Sequence, residues 1–173
     1  MLNQIVTNTP RWVWLLLAAL LWLGLSQALP RTASLKRITV MPLAMTGLSL
    51  FGTVTAFGAE PQVLLTWLSA ASLSVALLIQ RSPSEATRYD PASRRFTLPG
   101  SWVPLLLILG LFATKYVVGA VSTMQPALAR ETGFSLSFAM LYGGFSGVFL
   151  ARAAQLWRLA LQWESSPRTI VAQ

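Results

Sequence analysis

One lysine stands inside an apolar run. Lys115 lies in Leu111-Phe112-Ala113-Thr114-Lys115-Tyr116-Val117-Val118, eight residues before the end of the stretch that holds it. Read as a membrane helix, that position is about 12 Å below the outer boundary at 1.5 Å per residue. A cation at such depth costs on the order of 2–3 kcal/mol on insertion scales, so it must be paired, hydrated or neutral. The apolar stretches contain no Asp or Glu, which leaves two readings. In one, Lys115, with Thr114 and Tyr116, binds an anionic group of a lipid or amphiphile in an outward-facing pocket. In the other it snorkels to the outer headgroups, toward Glu131 or Glu60.

Other chemistry is sparse. Glu60, Glu85, Asp90, Glu131 and Glu164 all fall in loops or the tail, and no two share a helical face. Paired-carboxylate catalysis or carboxylate metal binding would need those loops to converge. Cysteine and histidine are absent, so disulfides, Cys/His zinc sites, histidine-ligated haem and histidine acid–base catalysis are excluded. Ser–Lys catalysis would require Lys115 beside a serine such as Ser49 or Ser146. No P-loop or GxGxxG fingerprint occurs. The expectation is a non-enzymatic protein with no catalytic residues, metal or cofactor.

Composition says what the elements are. Hydrophobic residues make up 54% of the 173 and charged ones 10%, far below the roughly 25% charged of soluble proteins. So few charges cannot cover a water-facing surface, and much of the exterior must meet lipid. The formal charge of +8 resides in short loops between apolar spans, which points to anionic headgroups and not to nucleic acid.

Five spans follow: about 12–29, 38–57, 63–80, 102–123 and 134–157, the last continuing as an interfacial helix to Trp163. The first is read as a retained helix, not a secretory signal, because no basic segment precedes it. Pro30 ends it, and a basic loop with Arg31, Lys36 and Arg37 follows. Span two carries Thr39, Thr46, Gly47, Ser49, Gly52, Thr53 and Thr55, small or hydroxylated residues that suit the inside of a bundle. Pro42 is expected near its start, where a missing amide costs little. Gly58-Ala59-Glu60-Pro61 makes a tight return. Residues 81–100 form the one sizeable polar segment, with extended stretches at Thr87–Tyr89 and Arg94–Leu98 around an Asp90-Pro91 turn. Ser101 is the expected N-cap of span four.

Lys and Arg gather on alternate loops. Arg31, Lys36 and Arg37, then Arg81, Arg88, Arg94 and Arg95, then Arg158 and Arg168 share one side, against Arg11 and Arg130 on the other. By the positive-inside rule the basic side is cytoplasmic, giving an outside N-terminus and an inside C-terminus. The expected fold is an all-α membrane protein: one integral domain over 1–173, a five-transmembrane-helix bundle, with a short cytoplasmic interfacial β-hairpin between helices 3 and 4.

Ala139, Gly143, Gly147 and Ala151 recur every four residues in span five, a smooth stripe with a GxxxG core. It reads as packing against spans two or four of the same chain, or as a dimer seam. Arg152, one residue on, reads as snorkelling to the cytoplasmic surface, with a ligand role as the alternative. Arg88, Arg94 and Arg95 offer a docking surface for a partner protein or for anionic lipid. Tryptophans such as Trp12, Trp14 and Trp22 read as interface anchors.

Tyr89-Asp90 through Arg94-Arg95-Phe96, then Pro99-Gly100-Ser101-Trp102 and Thr114-Lys115-Tyr116, resembles a family of small bacterial inner-membrane proteins of unknown function. The likeness includes the opening Thr9-Pro10-Arg11-Trp12-Val13-Trp14. In layout the chain is also similar to CcdC-type membrane proteins, associated with cytochrome c maturation, through helix count and hairpin loop. The resemblance implies a multi-pass protein of the bacterial inner membrane and a compact five-helix unit. It implies no reaction. The function expected is that of an accessory or assembly component of a membrane complex, with a membrane-protein partner or as a homo-oligomer. Binding or transport of an anionic amphiphile through Lys115 is the alternative.

Overall fold

The computed structural model describes residues 11–81, 87–90 and 95–165. In chain order these form α1 (Arg11–Ala28), β1 (Arg31–Ser34), α2 (Leu35–Phe57), α3 (Pro61–Leu78), β2 (Arg88–Asp90), β3 (Arg95–Leu98), α4 (Val103–Met124), the single turn α5 (Pro126–Ala129) and α6 (Thr132–Ser165). Four helices, α2, α3, α4 and α6, are long and apolar enough to cross a membrane. In α1 the apolar part is shorter, Val13–Ala28. Their outer faces are greasy: Trp22 is 79% exposed and Leu15 72%, with Leu43, Leu65, Leu77 and Leu106 also open. Such continuous apolar exposure marks a multi-pass membrane protein.

The helices start and stop where local chemistry dictates. Gly58, at φ +79°, closes α2 by donating its amide to Val54 O at 2.9 Å; only glycine takes that left-handed conformation without cost. Pro61 then opens α3 at a position where its missing amide would have had no partner. At the other end of α2, Ser34 Oγ accepts from Arg37 N, so this helix begins three residues earlier than hydropathy indicated. Lys36 and Arg37 therefore sit in its first turn and not in a loop. Pro42 consequently falls inside the helix, freeing the Ile38 carbonyl from its helical bond. Ser101 accepts from Val103 N, but Trp102 is the capping position of α4.

The extended stretches at 88–90 and 95–98 pair antiparallel, with Tyr89 opposite Phe96. A strand that hydropathy did not indicate, β1, pairs with the other edge of β3, so the sheet order is β1-β3-β2, with Ala33 also opposite Phe96. Side chains alternate between faces. Ala33, Tyr89 and Phe96 turn inward and pack with Leu156, Leu159 and Ala160 of α6, while Arg88, Asp90, Arg95 and Thr97 are exposed. The sheet thus ties together the end of α1, the starts of α2 and α4, and the last turns of α6. The Asp90-Pro91 turn and Arg94 lie outside the described residues.

Within the bundle, α6 packs along α3 and α2, and α1 packs on α4. One hydrogen-bond chain joins three helices: Trp67 Nε1 donates to Ser49 Oγ at 3.2 Å, and Ser49 Oγ donates to Tyr142 O at 3.0 Å. Ser49, Gly52 and Thr53 bury one face of α2, whereas Leu43, Leu48 and Phe51 on it remain exposed. Span two is therefore a one-sided helix and is not enclosed by the bundle.

Gly100 holds the end of α1 to the start of α4. Ser101 N donates to Gln27 O at 3.1 Å, and a Cβ on Gly100 would lie 1.9 Å from Ala28 O. Backbone on both sides cannot yield cheaply, so Gly100→Ala is expected to cost about 1–3 kcal/mol, the range for overpacking. Thermal unfolding in detergent checks this, and an unchanged midpoint would contradict the close approach.

Candidate anion-binding cavity

Helix ends at the sheet side are held by neighbouring segments. Gln155 Nε2 donates to Leu78 O and Arg158 Nη1 to Ile79 O, satisfying carbonyls that the end of α3 leaves without helical partners. Trp157 Nε1 donates to Thr39 Oγ1 at 2.9 Å, fastening α6 to the first turns of α2. The Ser101–Gln27 bond does the same for α1 and α4.

Between these fixed ends is a cavity of about 580 Å³. Arg31 of β1, Arg37 of α2, Arg81 after α3 and Arg152 of α6 all line it, with Gln27 from α1. No Asp or Glu is among the described residues that line it. Its apolar wall comes from Ile38, Met41, Phe149 and Leu156. Four arginines from four separate segments thus line one space, with no carboxylate among its described lining residues.

Gln27 and Arg31 are the best-defined pair. Arg31 Nη2 donates to Gln27 Oε1 at 2.8 Å, four residues apart at the end of α1 and the start of β1. The bond orients both groups and leaves a donor over on each: Gln27 Nε2 and Arg31 Nη1 are buried without a hydrogen-bond partner among the described residues. Gln27 itself is only 4% exposed. Unmet donors of this kind are rare in native proteins and cost about 1–3 kcal/mol each when nothing answers them. Burial, then Arg37, then Arg152, hold the Arg31 guanidinium below its ordinary pKa. Arginine does not shed its proton at accessible pH, so an anion would relieve that tension. Arg37 adds to it from the first turn of α2, where the helix dipole already disfavours a cation and favours an anion.

Lys115 is elsewhere. A Cβ on Gly52 of α2 would lie 2.7 Å from Lys115 Cε and 3.0 Å from Nζ: the lysine chain lies in the notch that this glycine leaves between α4 and α2. It is half-buried. Counting eleven residues from Pro104, which lines the cavity, it sits about 16 Å further along α4. Thr114 Oγ1 donates back to Gly110 O at 2.7 Å, and Tyr116 stacks on Phe112 with centroids 6.3 Å apart. None of the three lines the arginine cavity. Ser49 is engaged with Trp67 and Tyr142, and Ser146 Oγ donates to Tyr142 O at 2.8 Å.

The glycine stripe faces α3. A Cβ on Gly143 would lie 2.1 Å from Trp67 O, and one on Gly147 2.3 Å from Ala71 O; Ala139 and Ala151 are fully buried. The stripe thus meets span three of the same chain, in place of spans two or four, and the caps at Leu78 and Ile79 hold α3 alongside α6. Arg88 and Arg95 lie exposed on the sheet's outer face, away from the cavity wall.

Hydropathy did not single out Gln27, or gather Arg31, Arg37, Arg81 and Arg152 into one site. A signal existed for the first pair: a glutamine near the end of an apolar span, four residues before an arginine, is positioned to bond to it.

The model of a family of unknown function, DUF6622, matches residues 1–167. No curated protein and no solved structure matches the chain.

Proposed function

This chain belongs to the DUF6622 family, and from its arginine cavity we propose that it is a non-catalytic, multi-pass protein of the bacterial inner membrane that binds the anionic end of an amphiphile. The observation that carries the reading is the pair of buried donors on Gln27 and Arg31 that find no partner among the described residues, set beside three further arginines with no carboxylate among the described lining residues. The apolar wall suits the first methylenes of an acyl chain, and the cavity volume lies within the range of small-molecule sites. Five crossings fit best, with the sheet and cavity at the cytoplasmic side. In support, the sheet gathers the ends that an odd number of crossings would bring to one leaflet, and nine of the thirteen basic residues fall to that side of the apolar spans.

The test is lipid retention. The full chain is purified in mild detergent and its bound lipid measured by native mass spectrometry. Truncating one charge-assisted contact costs about 1.5–3 kcal/mol, so Arg37→Gln with Arg81→Gln should weaken retention of anionic lipid at least about tenfold. Lys115→Met should leave it unchanged. If Lys115→Met alone abolished retention, the ligand would sit at the lysine and the arginine reading would fail.

A second reading, an accessory role in a membrane complex, draws on the sheet, whose alternation exposes Arg88 and Arg95 while Tyr89 and Phe96 face inward. Under it, Arg88→Ala with Arg95→Ala detaches a co-purifying complex and leaves lipid retention intact.

A further inference from the structure

Charge balance narrows the ligand. The cavity wall brings four permanent cations. A phosphodiester headgroup carries one negative charge and would leave three of them unanswered. A zwitterionic headgroup adds an ammonium, which would meet guanidiniums and no carboxylate among the described residues. A phosphomonoester carries about −1.5 to −2 near neutral pH and three strong acceptor oxygens. It offers acceptors enough for Gln27 Nε2 and Arg31 Nη1, which have no partner among the described residues, and for the arginines that share the wall. Hydrogen bonds in which the donor or the acceptor is ionised are about twice as strong as neutral ones, and the second negative charge gains most beside Arg31 and Arg152, the two cavity arginines that are not exposed. The low-dielectric wall of Ile38, Met41, Phe149 and Leu156 excludes water on one side and offers a seat for hydrocarbon.

We propose that the arginine cavity selects a lipid phosphomonoester over phosphodiester and zwitterionic lipids, a refinement that rests on the amphiphile-binding reading above. The second ionisation of such a ligand falls near pH 6. The charged groups facing it among the described residues are Arg31, Arg37, Arg81 and Arg152, with no Asp or Glu beside them, and the chain has neither histidine nor cysteine. Between pH 5 and 8 the ligand's own ionisation would therefore set any change in affinity.

The experiment uses the full chain in nanodiscs of neutral lipid, titrated at pH 5.5 and 7.5 with phosphatidic acid, phosphatidylglycerol or phosphatidylethanolamine, and separately with inorganic phosphate. At pH 7.5 phosphatidic acid is expected to bind about tenfold more tightly than phosphatidylglycerol, a difference of about 1.4 kcal/mol, and phosphatidylethanolamine more weakly still. Affinity for phosphatidic acid alone should fall several-fold at pH 5.5. Arg152→Gln should erase the preference, and Arg37→Gln, on an exposed residue whose loss does not threaten folding, should reduce it. Equal, Arg37-dependent binding of phosphatidic acid and phosphatidylglycerol would overturn the selectivity and leave the amphiphile reading standing. Binding that ignores both arginines would overturn the two together. Inorganic phosphate competing as well as phosphatidic acid would overturn the lipid as the source of the phosphomonoester.

Discussion

Gly143→Ala is expected to destabilise the bundle by about 3 kcal/mol, the upper end of overpacking costs. An added Cβ would lie 2.1 Å from Trp67 O and 2.9 Å from Trp67 C. Both are backbone, in a helix whose own side chain, Trp67, is bonded to Ser49, so relief requires α3 and α6 to separate along their contact. Gly147→Ala repeats the clash one turn later, at 2.3 Å from Ala71 O and 2.6 Å from Ser74 Cβ. Because lipid supplies no hydrophobic force to drive helices together, the close van der Waals fit is the main source of their association. The two sites share one interface and their costs will not add independently. The neighbouring Gly144 is the control: its added Cβ would find only Ser74 Oγ, at 3.9 Å. Gly144→Ala should be neutral or gain up to about 1 kcal/mol from helix propensity. Thermal unfolding of the three variants in one detergent decides the matter. A dimer seam makes the opposite forecast, in which Gly143→Ala lowers the oligomer fraction and leaves the unfolding midpoint alone.

That contrast marks how far the chain could be read without its fold. The four-residue recurrence of Ala139, Gly143, Gly147 and Ala151 showed a close-packed face, because small residues at that spacing have one geometric consequence on a helix. It could not name the partner, since spans two, three and four all offer small residues. The long helices were legible from hydropathy and from Gly58 and Pro61, which act locally. Strand β1 was not: Arg31-Thr32-Ala33-Ser34 has little strand propensity, and its pairing with Arg95–Leu98 is made across more than sixty residues of chain. Propensity yields to such long-range context. The arginine cavity was hidden for another reason. Each of Arg31, Arg37, Arg81 and Arg152 already had an adequate explanation as a cytoplasmic-side cation, and only the sheet and the helix caps bring them to one space. Lys115 was conspicuous because it breaks a pattern by itself, yet it lies over Gly52, away from the cavity.

Gln27→Leu combined with Arg31→Met is expected to leave lipid-free protein as stable as the parent, or more so, while abolishing its response to anionic lipid. Each change alone should do harm. Gln27→Leu takes the acceptor from Arg31 Nη2, beside an Nη1 that already has none; Arg31→Met leaves Gln27, 4% exposed, with neither polar atom answered. A buried group stranded in this way costs about 1–3 kcal/mol, whereas replacing both partners by apolar groups of similar shape is near neutral or favourable. The double change also removes a guanidinium that burial and two neighbouring arginines already disfavour. Adding anionic lipid should reverse the order. At a hundredfold excess over Kd, a ligand that binds only the folded state stabilises by about 2.7 kcal/mol, and only the parent can draw on it. A pair retained for architecture alone would behave otherwise: the double variant would be the least stable of the set, and lipid would raise all four unfolding temperatures alike. Under the amphiphile-binding proposal the cavity is less stable empty than its apolar substitute, because Gln27 Nε2 and Arg31 Nη1 find no partner among the described residues.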